Sequence, residues 1–207
     1  MIFRILLTAI VCYFLGNHNG AICVSMMLGD DVRTHGSGNA GLTNFIRSYG
    51  PGRAALVVLI DVGKAVLACI LGGVLLQPLG CELLGRVLAG LFVMLGHDFP
   101  ALQGFRGGKG ILSGWTIAWM VDWRIALLIG LVFFCAYFIT KYVSLGSVLA
   151  ALTFGVGFVI FHHDDLWVYC AGVMMGALAL FMHRSNIMRL IKGQERKTDL
   201  FAKGKKQ

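Results

Sequence analysis

Charge is what this sequence has least of. Only 14% of its 207 residues are charged against 57% hydrophobic, where soluble domains carry about 25% charged and roughly 45–50% apolar residues. That scarcity excludes a disordered chain, and a mean hydropathy of +0.78 excludes an ordinary water-facing surface, which needs polar side chains the sequence lacks. Acidic residues are the scarcer sign, 10 against 18 basic ones, for a net charge of +8. Paired cysteine motifs are missing too. Cys12, Cys23, Cys69, Cys81, Cys135 and Cys170 show no C-x-x-C spacing, and all but Cys81 lie in apolar runs, so neither a disulfide framework nor a zinc site is signalled. The first apolar run, Ile5 to Leu28, has no basic leader of any size and no evident A-x-A cleavage site, and is expected to be a retained span.

What is present is length of apolar chain. A helix crossing a bilayer needs ~20 largely apolar residues at ~1.5 Å rise each. Runs at 4–26, 54–76, 83–97, 110–122, 125–140, 145–161 and 166–182 predict an all-α integral membrane protein of seven transmembrane helices in a single membrane domain. The fourth is short, reaching only about 20 Å as a helix, and either crosses a thinned patch or re-enters. Basic-residue bias arbitrates. If the fourth run crosses and 29–53 is cytoplasmic, the inside segments hold Arg33, Arg47, Arg53, Arg106, Lys109, Lys141 and the basic tail 183–207, while the outside turns hold only Arg124. The expected topology therefore has the N-terminus outside and the C-terminus cytoplasmic. Beside a span, such a tail reads as a contact for anionic membrane lipid and not for nucleic acid. Gly72/Gly73, Gly155-x-Gly157 and Gly172-x-x-x-Gly176 suit close helix packing in lipid.

The polar loops carry the chemistry. Gly36-Ser37-Gly38-Asn39-Ala40-Gly41 matches G-x-G-x-x-G, but a dinucleotide site needs a preceding strand where this chain has an apolar helix. Gly107-Gly108-Lys109-Gly110 lacks the remaining residues of a Walker loop. Both loops still suit anions, because glycines let backbone N–H groups converge and the second loop runs into a helix N-terminus. Arg47, Arg106 and Lys109 add full positive charges, with Arg able to grip phosphate bidentately. Arg33, Arg53 and Lys141 are expected only to follow the charge bias. Asp61 and Lys64 lie i, i+3 within a span and are expected to pair. His162-His163-Asp164-Asp165, in an outside turn, reads as a polar cap, and no metal site is expected.

The residues Gly36 through Arg47, then Gly96-His97-Asp98-Phe99-Pro100 through Gly110, then Ser144-Leu145-Gly146-Ser147, closely resemble three motifs of the bacterial acyl-phosphate:glycerol-3-phosphate acyltransferases. His183-Arg184-Ser185-Asn186-Ile187-Met188-Arg189-Leu190 resembles that family's C-terminal signature. Departures are modest: Leu42 for the usual Ala, Arg106 for Lys, Ile111-Leu112-Ser113 for Val-Ala-Thr, and Ser185 where Glu is common. The resemblance implies a multi-pass enzyme of the bacterial inner membrane with its active site facing the cytoplasm. It implies transfer of a fatty acyl group from acyl phosphate to the 1-hydroxyl of sn-glycerol 3-phosphate, giving 1-acyl-glycerol 3-phosphate (lysophosphatidic acid) and phosphate, with no cofactor.

Carried over motif by motif, Arg47, Lys109, His183 and Asn186 look like the phosphate clamp, with Ser147 a hydroxyl donor beside it or a helix N-cap. Ser37, Gly38 and the loop Gly107, Gly108, Lys109 and Gly110 look like the acyl-phosphate cradle, flanked by Arg106 and Ser144. Asn39, Thr43 and Asn44 either line the site or satisfy their own loop, with Thr43 expected in a turn, and His97 acts as a base or a positioning group. With no Ser-His-Asp set or activated Cys near the motifs, direct transfer without an acyl-enzyme is expected. The reading from another class is a small-anion or phosphate-ester transporter, which intramembrane charge and glycine anion loops also fit.

Overall fold

The computed structural model describes residues 1–198; Asp199, Lys203, Lys205 and Lys206 of the basic tail lie outside the described residues. Among these, ten α-helices and no strand are found. In chain order they are α1 (Ile2–Gly16), α2 (Gly20–Met27), α3 (Leu42–Tyr49), α4 (Ala54–Leu76), α5 (Glu82–Asp98), α6 (Ile111–Val121), α7 (Trp123–Thr140), α8 (Val143–Phe161), α9 (Leu166–Met182) and α10 (Arg184–Ile191). Four stretches are long and apolar enough to cross a membrane, or six if two bent pairs each count as one span. Against the seven expected spans, three elements differ. The run 4–26 is broken into α1 and α2 with a bend of 41°. The segment 110–122 is the short α6. The tail expected from residue 183 begins as the helix α10, bent by 55° from α9.

Small residues set the helix crossings. Side chains at Gly72 and Gly85 would each overlap the other's backbone, which locks α4 on α5, and Gly16 and Gly96 do the same for α1 and α5. Gly176 approaches Gly155 across the α8–α9 contact, where an added Cβ would meet backbone at 2.9 Å. The main core formed around these crossings draws on Ala65, Ala68, Val87, Met94, Ile117, Phe154 and Met175. A second, smaller cluster packs Phe45 of α3 with Ile22, Val32, Ala40 and Val57, so the polar segment after α2 is folded against the bundle and does not hang from it.

The brevity of α6 is matched at both ends. Its N-terminus starts at the depth of the last turn of α5, because the Gly107 N–H donates to Asp98 O at 3.2 Å and the Gly108 N–H to His97 O at 3.0 Å. At the far end Met120 O accepts from Arg86 Nη1 at 3.0 Å, one turn into α5. Asp122, which follows α6, accepts from His162 Nε2 at 3.0 Å after α8. This contact is what His162 of the polar cluster does, while Asp165 caps α9 by accepting from Trp167 N and Val168 N. The end of α6 and the α8–α9 turn therefore meet at one end of the bundle, opposite both glycine loops.

The break between α1 and α2 leaves helix-end groups without helical partners, and in a dry interior each must find one. A buried ion pair supplies them. Lys64 Nζ lies 2.8 Å from Asp61 Oδ1 and donates to Gly16 O at 3.3 Å and His18 O at 3.1 Å, closing the end of α1. Asp61 Oδ1 accepts from the Gly20 N–H at 3.0 Å, opening α2. Asn19 caps α2 by accepting from Ile22 N and donates to Ala40 O at 3.0 Å, reaching the first glycine loop. The expected pairing of Asp61 with Lys64 is thus present, with a broader duty than mutual neutralisation.

Because the pair is buried, with side chains only 3% exposed on both sides, removing one partner strands the other. Lys64→Met and Asp61→Asn are each expected to lower unfolding stability in detergent by about 3–5 kcal/mol. The double variant is expected to lose less than the sum. Strictly additive losses in thermal unfolding would show that the two side chains act independently.

Candidate active site

A cavity of about 290 Å³ opens where the first glycine loop, the second loop and the α9–α10 junction converge. Its walls divide by chemistry. Polar groups come from Ser37, Asn39, Arg47, Lys109, His183 and Asn186, and apolar ones from Leu112 and Trp115 of α6 and Ile129, Phe133 and Phe134 of α7.

The first loop is held open from within. Asn44, 2% exposed, accepts from Ser37 N at 2.9 Å and donates to Val32 O, His35 O and Asn39 O at 3.0, 3.1 and 3.0 Å. Its amide is the loop's scaffold, and Gly36 at φ +58 leaves the space it fills, where any side chain would overlap Asn44 Oδ1. Thr43, expected in a turn, instead sits in the first turn of α3 and on the cavity wall. Arg47 lies in the last turn of α3 and reaches the cavity from there.

The second loop departs from the expected cradle. The N–H groups of Gly107 and Gly108 are engaged by carbonyls of α5, and neither residue lines the cavity. Their glycine identity has a packing cause: a Cβ at Gly108 would overlap His97 Nε2, and one at Gly107 would overlap His97 O. Gly38 and Arg106 are also off the wall, and Arg106 is exposed. Lys109 and Gly110 do reach it. Arg33, expected only to follow the charge bias, joins the two loops by donating to Gln103 O at 2.7 Å and Arg106 O at 3.3 Å.

His97 is buried behind the loop and accepts from Lys64 Nζ at Nδ1, 2.8 Å away. With the ammonium donating to Nδ1, a neutral ring carries its proton on Nε2. His183 links α9 to α10, and its Nδ1 donates to Ala179 O at 2.8 Å, leaving Nε2 as the accepting nitrogen. Lys109 Nζ donates to Asn186 Oδ1, and Asn186 Nδ2 points to Glu195 Oε2. Burial pulls the Lys109 pKa down to about 8, and the nearby Arg189, Arg47 and Arg184 add to the shift while Glu195 opposes it.

From α8, Ser147 is not an N-cap, a position held by Tyr142; its hydroxyl donates to Val143 O at 2.9 Å. Ser144, one turn earlier, is on the wall with a buried hydroxyl that has no partner among the described residues. Of the residues singled out in the sequence, Ser37, Asn39, Asn44, Arg47, His97, Lys109, Gly110, Ser144, Ser147, His183 and Asn186 meet at one cavity. Sequence reasoning missed Glu195, the wall role of Arg189 and the whole apolar half. For Arg189 a signal existed, since His183, Asn186 and Arg189 repeat every three residues on one helix face.

The cavity thus brings cations and hydrogen-bonding groups together with an apolar wall. The family model described as glycerol-3-phosphate acyltransferase matches residues 6–193. Glycerol-3-phosphate acyltransferases of Clostridioides difficile and Finegoldia magna are 39% and 37% identical to the chain, covering 95% and 93% of it and 96% of each relative. Two crystal structures of PlsY (YgiH), an integral membrane glycerol 3-phosphate acyltransferase, in glycerol 3-phosphate and lysophosphatidic acid forms, superpose with TM-scores of 0.82 and 0.80. Each is 29% identical, with 94% of this chain covered and 96% and 95% of theirs. The chain belongs to the glycerol-3-phosphate acyltransferase family of integral membrane enzymes.

Proposed function

We propose that the protein transfers a fatty acyl group from acyl phosphate to the 1-hydroxyl of sn-glycerol 3-phosphate, releasing 1-acyl-glycerol 3-phosphate and inorganic phosphate as the first step of phospholipid synthesis. The observation that carries this reading is a single cavity lined both by the cations Arg47, Lys109 and Arg189 and by the apolar side chains of α6 and α7. Two anionic substrates need several positive groups, and a fatty chain needs a wall like that of Trp115, Ile129, Phe133 and Phe134. Trp115 is fixed there by donating from Nε1 to Ala126 O at 2.8 Å. Arg47, Lys109, His183 and Asn186 hold the phosphate groups, the Ser144 and Ser147 hydroxyls flank them, and Ser37 and Asn39 close the other side.

Transfer is direct. The 1-hydroxyl oxygen attacks the acyl carbonyl carbon, the bond from that carbon to the phosphate oxygen breaks, and phosphate leaves with the bonding pair while an oxygen of a substrate phosphate takes the hydroxyl proton. An acyl phosphate is already an activated mixed anhydride, so positioning and charge stabilisation carry the acceleration. The Ser147 hydroxyl is given to Val143 O, and among the described residues no hydrogen bond joins it to a base, as a covalent route would require.

The proposed topology is seven crossings in the bacterial inner membrane, with α6 as the short one, the N-terminus outside, and the cavity and C-terminal segment on the cytoplasmic side. It rests on the basic residues gathered at the end of the bundle that carries both glycine loops.

Four outcomes are expected. Lys109→Ala lowers turnover about tenfold or more through loss of a charge-assisted contact. Lys109 loses its charge as pH rises through about 8, so the KM for glycerol 3-phosphate rises above that pH and Lys109→Arg abolishes the rise; a profile shared by both proteins removes Lys109 from the clamp. Intact-protein mass spectrometry after incubation with acyl phosphate alone is expected to find no added acyl mass, and an adduct discharged by glycerol 3-phosphate would establish a two-step route. For orientation, a membrane-impermeant thiol reagent added to intact cells is expected to label a cysteine placed at His163 and not one at Lys192, and the converse labelling reverses the topology.

A further inference from the structure

The chain from Gln194 onward lies beyond the region matched by the family model, which ends at residue 193. Gly193 turns the chain at φ +66, and the Gln194 N–H donates to Arg189 O at 2.8 Å. Four residues on, the Thr198 N–H donates to Lys141 O, in the turn between α7 and α8, at 3.1 Å. Residues 193–198 are therefore a strap pinned at both ends. Between the pins the side chain of Glu195 turns back onto the cavity wall and is only 6% exposed. Its Oε2 accepts from Arg189 Nε at 2.9 Å and from Asn186 Nδ2 at 3.4 Å. Asp61, the other carboxylate on that wall, is already engaged by Lys64. Among the described residues Glu195 is thus the carboxylate on the wall left to face the cations Arg47, Lys109 and Arg189.

We propose that Glu195 is a resident anion of the phosphate site, which occupies Arg189 and Asn186 until a substrate phosphate takes them and thereby sets the site's affinity for phosphate. Cations gathered in a partly dry cavity repel one another, and a carboxylate built into the chain offsets that repulsion in the empty enzyme. An arriving phosphate needs the same donors. If Glu195 withdraws, apparent affinity is reduced by the fraction of molecules in which the donors are free; if it stays, two like charges share the cavity. Both routes give one sign: removing the charge of Glu195 strengthens phosphate binding. A residue that merely oriented Asn186 would give the opposite sign.

This inference rests on the reading of the cavity as a phosphate site, and the experiment separates the two. KM for glycerol 3-phosphate and inhibition by inorganic phosphate are measured at low salt in the full chain, in Glu195→Gln, and in Thr198→Pro, which lacks the N–H that pins the strap. Glu195→Gln is expected to lower both constants about three- to tenfold, and Thr198→Pro to shift both the same way by less. Constants in Glu195→Gln that rise or do not move overturn the resident anion, as does a collapse of turnover at unchanged KM, which would assign Glu195 to proton handling. Should Glu195→Gln not fold, the sign of the Thr198→Pro shift decides alone. If the unaltered protein makes no 1-acyl-glycerol 3-phosphate from acyl phosphate, the functional reading fails and not this one; if it does and the variants bind no more tightly, only this one fails.

Discussion

A broken helix inside a membrane protein has to be closed by side chains, and the Asp61–Lys64 pair is what closes this one. The ammonium takes the carbonyls at the end of α1, and the carboxylate takes the first amide of α2. From that point the constraint spreads in two directions. Lys64 fixes the ring of His97, against which Gly108 folds the second loop. Asn19, in the break itself, holds Ala40 of the first loop. Both loops around the cavity are therefore referred to one buried ion pair on α4, and neither of its members lies in a glycine motif. A pair of this kind contributes little net stability, since desolvation offsets most of its attraction. What it supplies is a unique geometry at a place where the backbone has no water to fall back on.

The arrangement of polar groups at one end of a narrow bundle also explains the short α6. A helix reaching the full thickness would carry its N-terminus out past the cavity. By starting at the level of His97 and Asp98, α6 presents Ile111 and Leu112 to the cavity beside Lys109. Arg86 and Asp122 secure the other end, where the helix stops about one turn inside the beginning of α5. The length that looked anomalous follows from where the site has to be.

How much of this was legible in the sequence varies with the physics of each part. Helix content and the grouping of basic loops at one end were readable, because apolar runs and charge bias are local properties of the chain. The residues that line the cavity with cations, hydroxyls and other polar groups, Ser37, Arg47, Lys109, Ser144, Ser147, His183 and Asn186, were legible through the resemblance of their motifs, since each residue type alone has other roles at such positions. The duties of Gly107 and Gly108 were not: a glycine that frees an amide for an anion and one that makes room for a histidine read identically, and only His97 at close range tells them apart. Arg33 was misjudged for a similar reason, since the carbonyls it meets are about seventy residues away. The apolar half of the cavity was invisible because Phe133 facing a cavity and Phe138 on the outside of the bundle belong to one uninterrupted hydrophobic run. Glu195 was hidden in a tail whose basic excess drew attention to its sign and away from its exceptions.

The stacking of Gly108, His97 and Lys64 amounts to a fixed volume shared by two helices and a loop. An atom added at position 108 has no room unless the imidazole retreats, and an imidazole that moves gives up its hydrogen bond from the ammonium. Packing of this sort makes three distant positions a single unit of variation. A glycine in a surface loop is ordinarily among the freest positions in a protein, and here it is as constrained as the centre of a core.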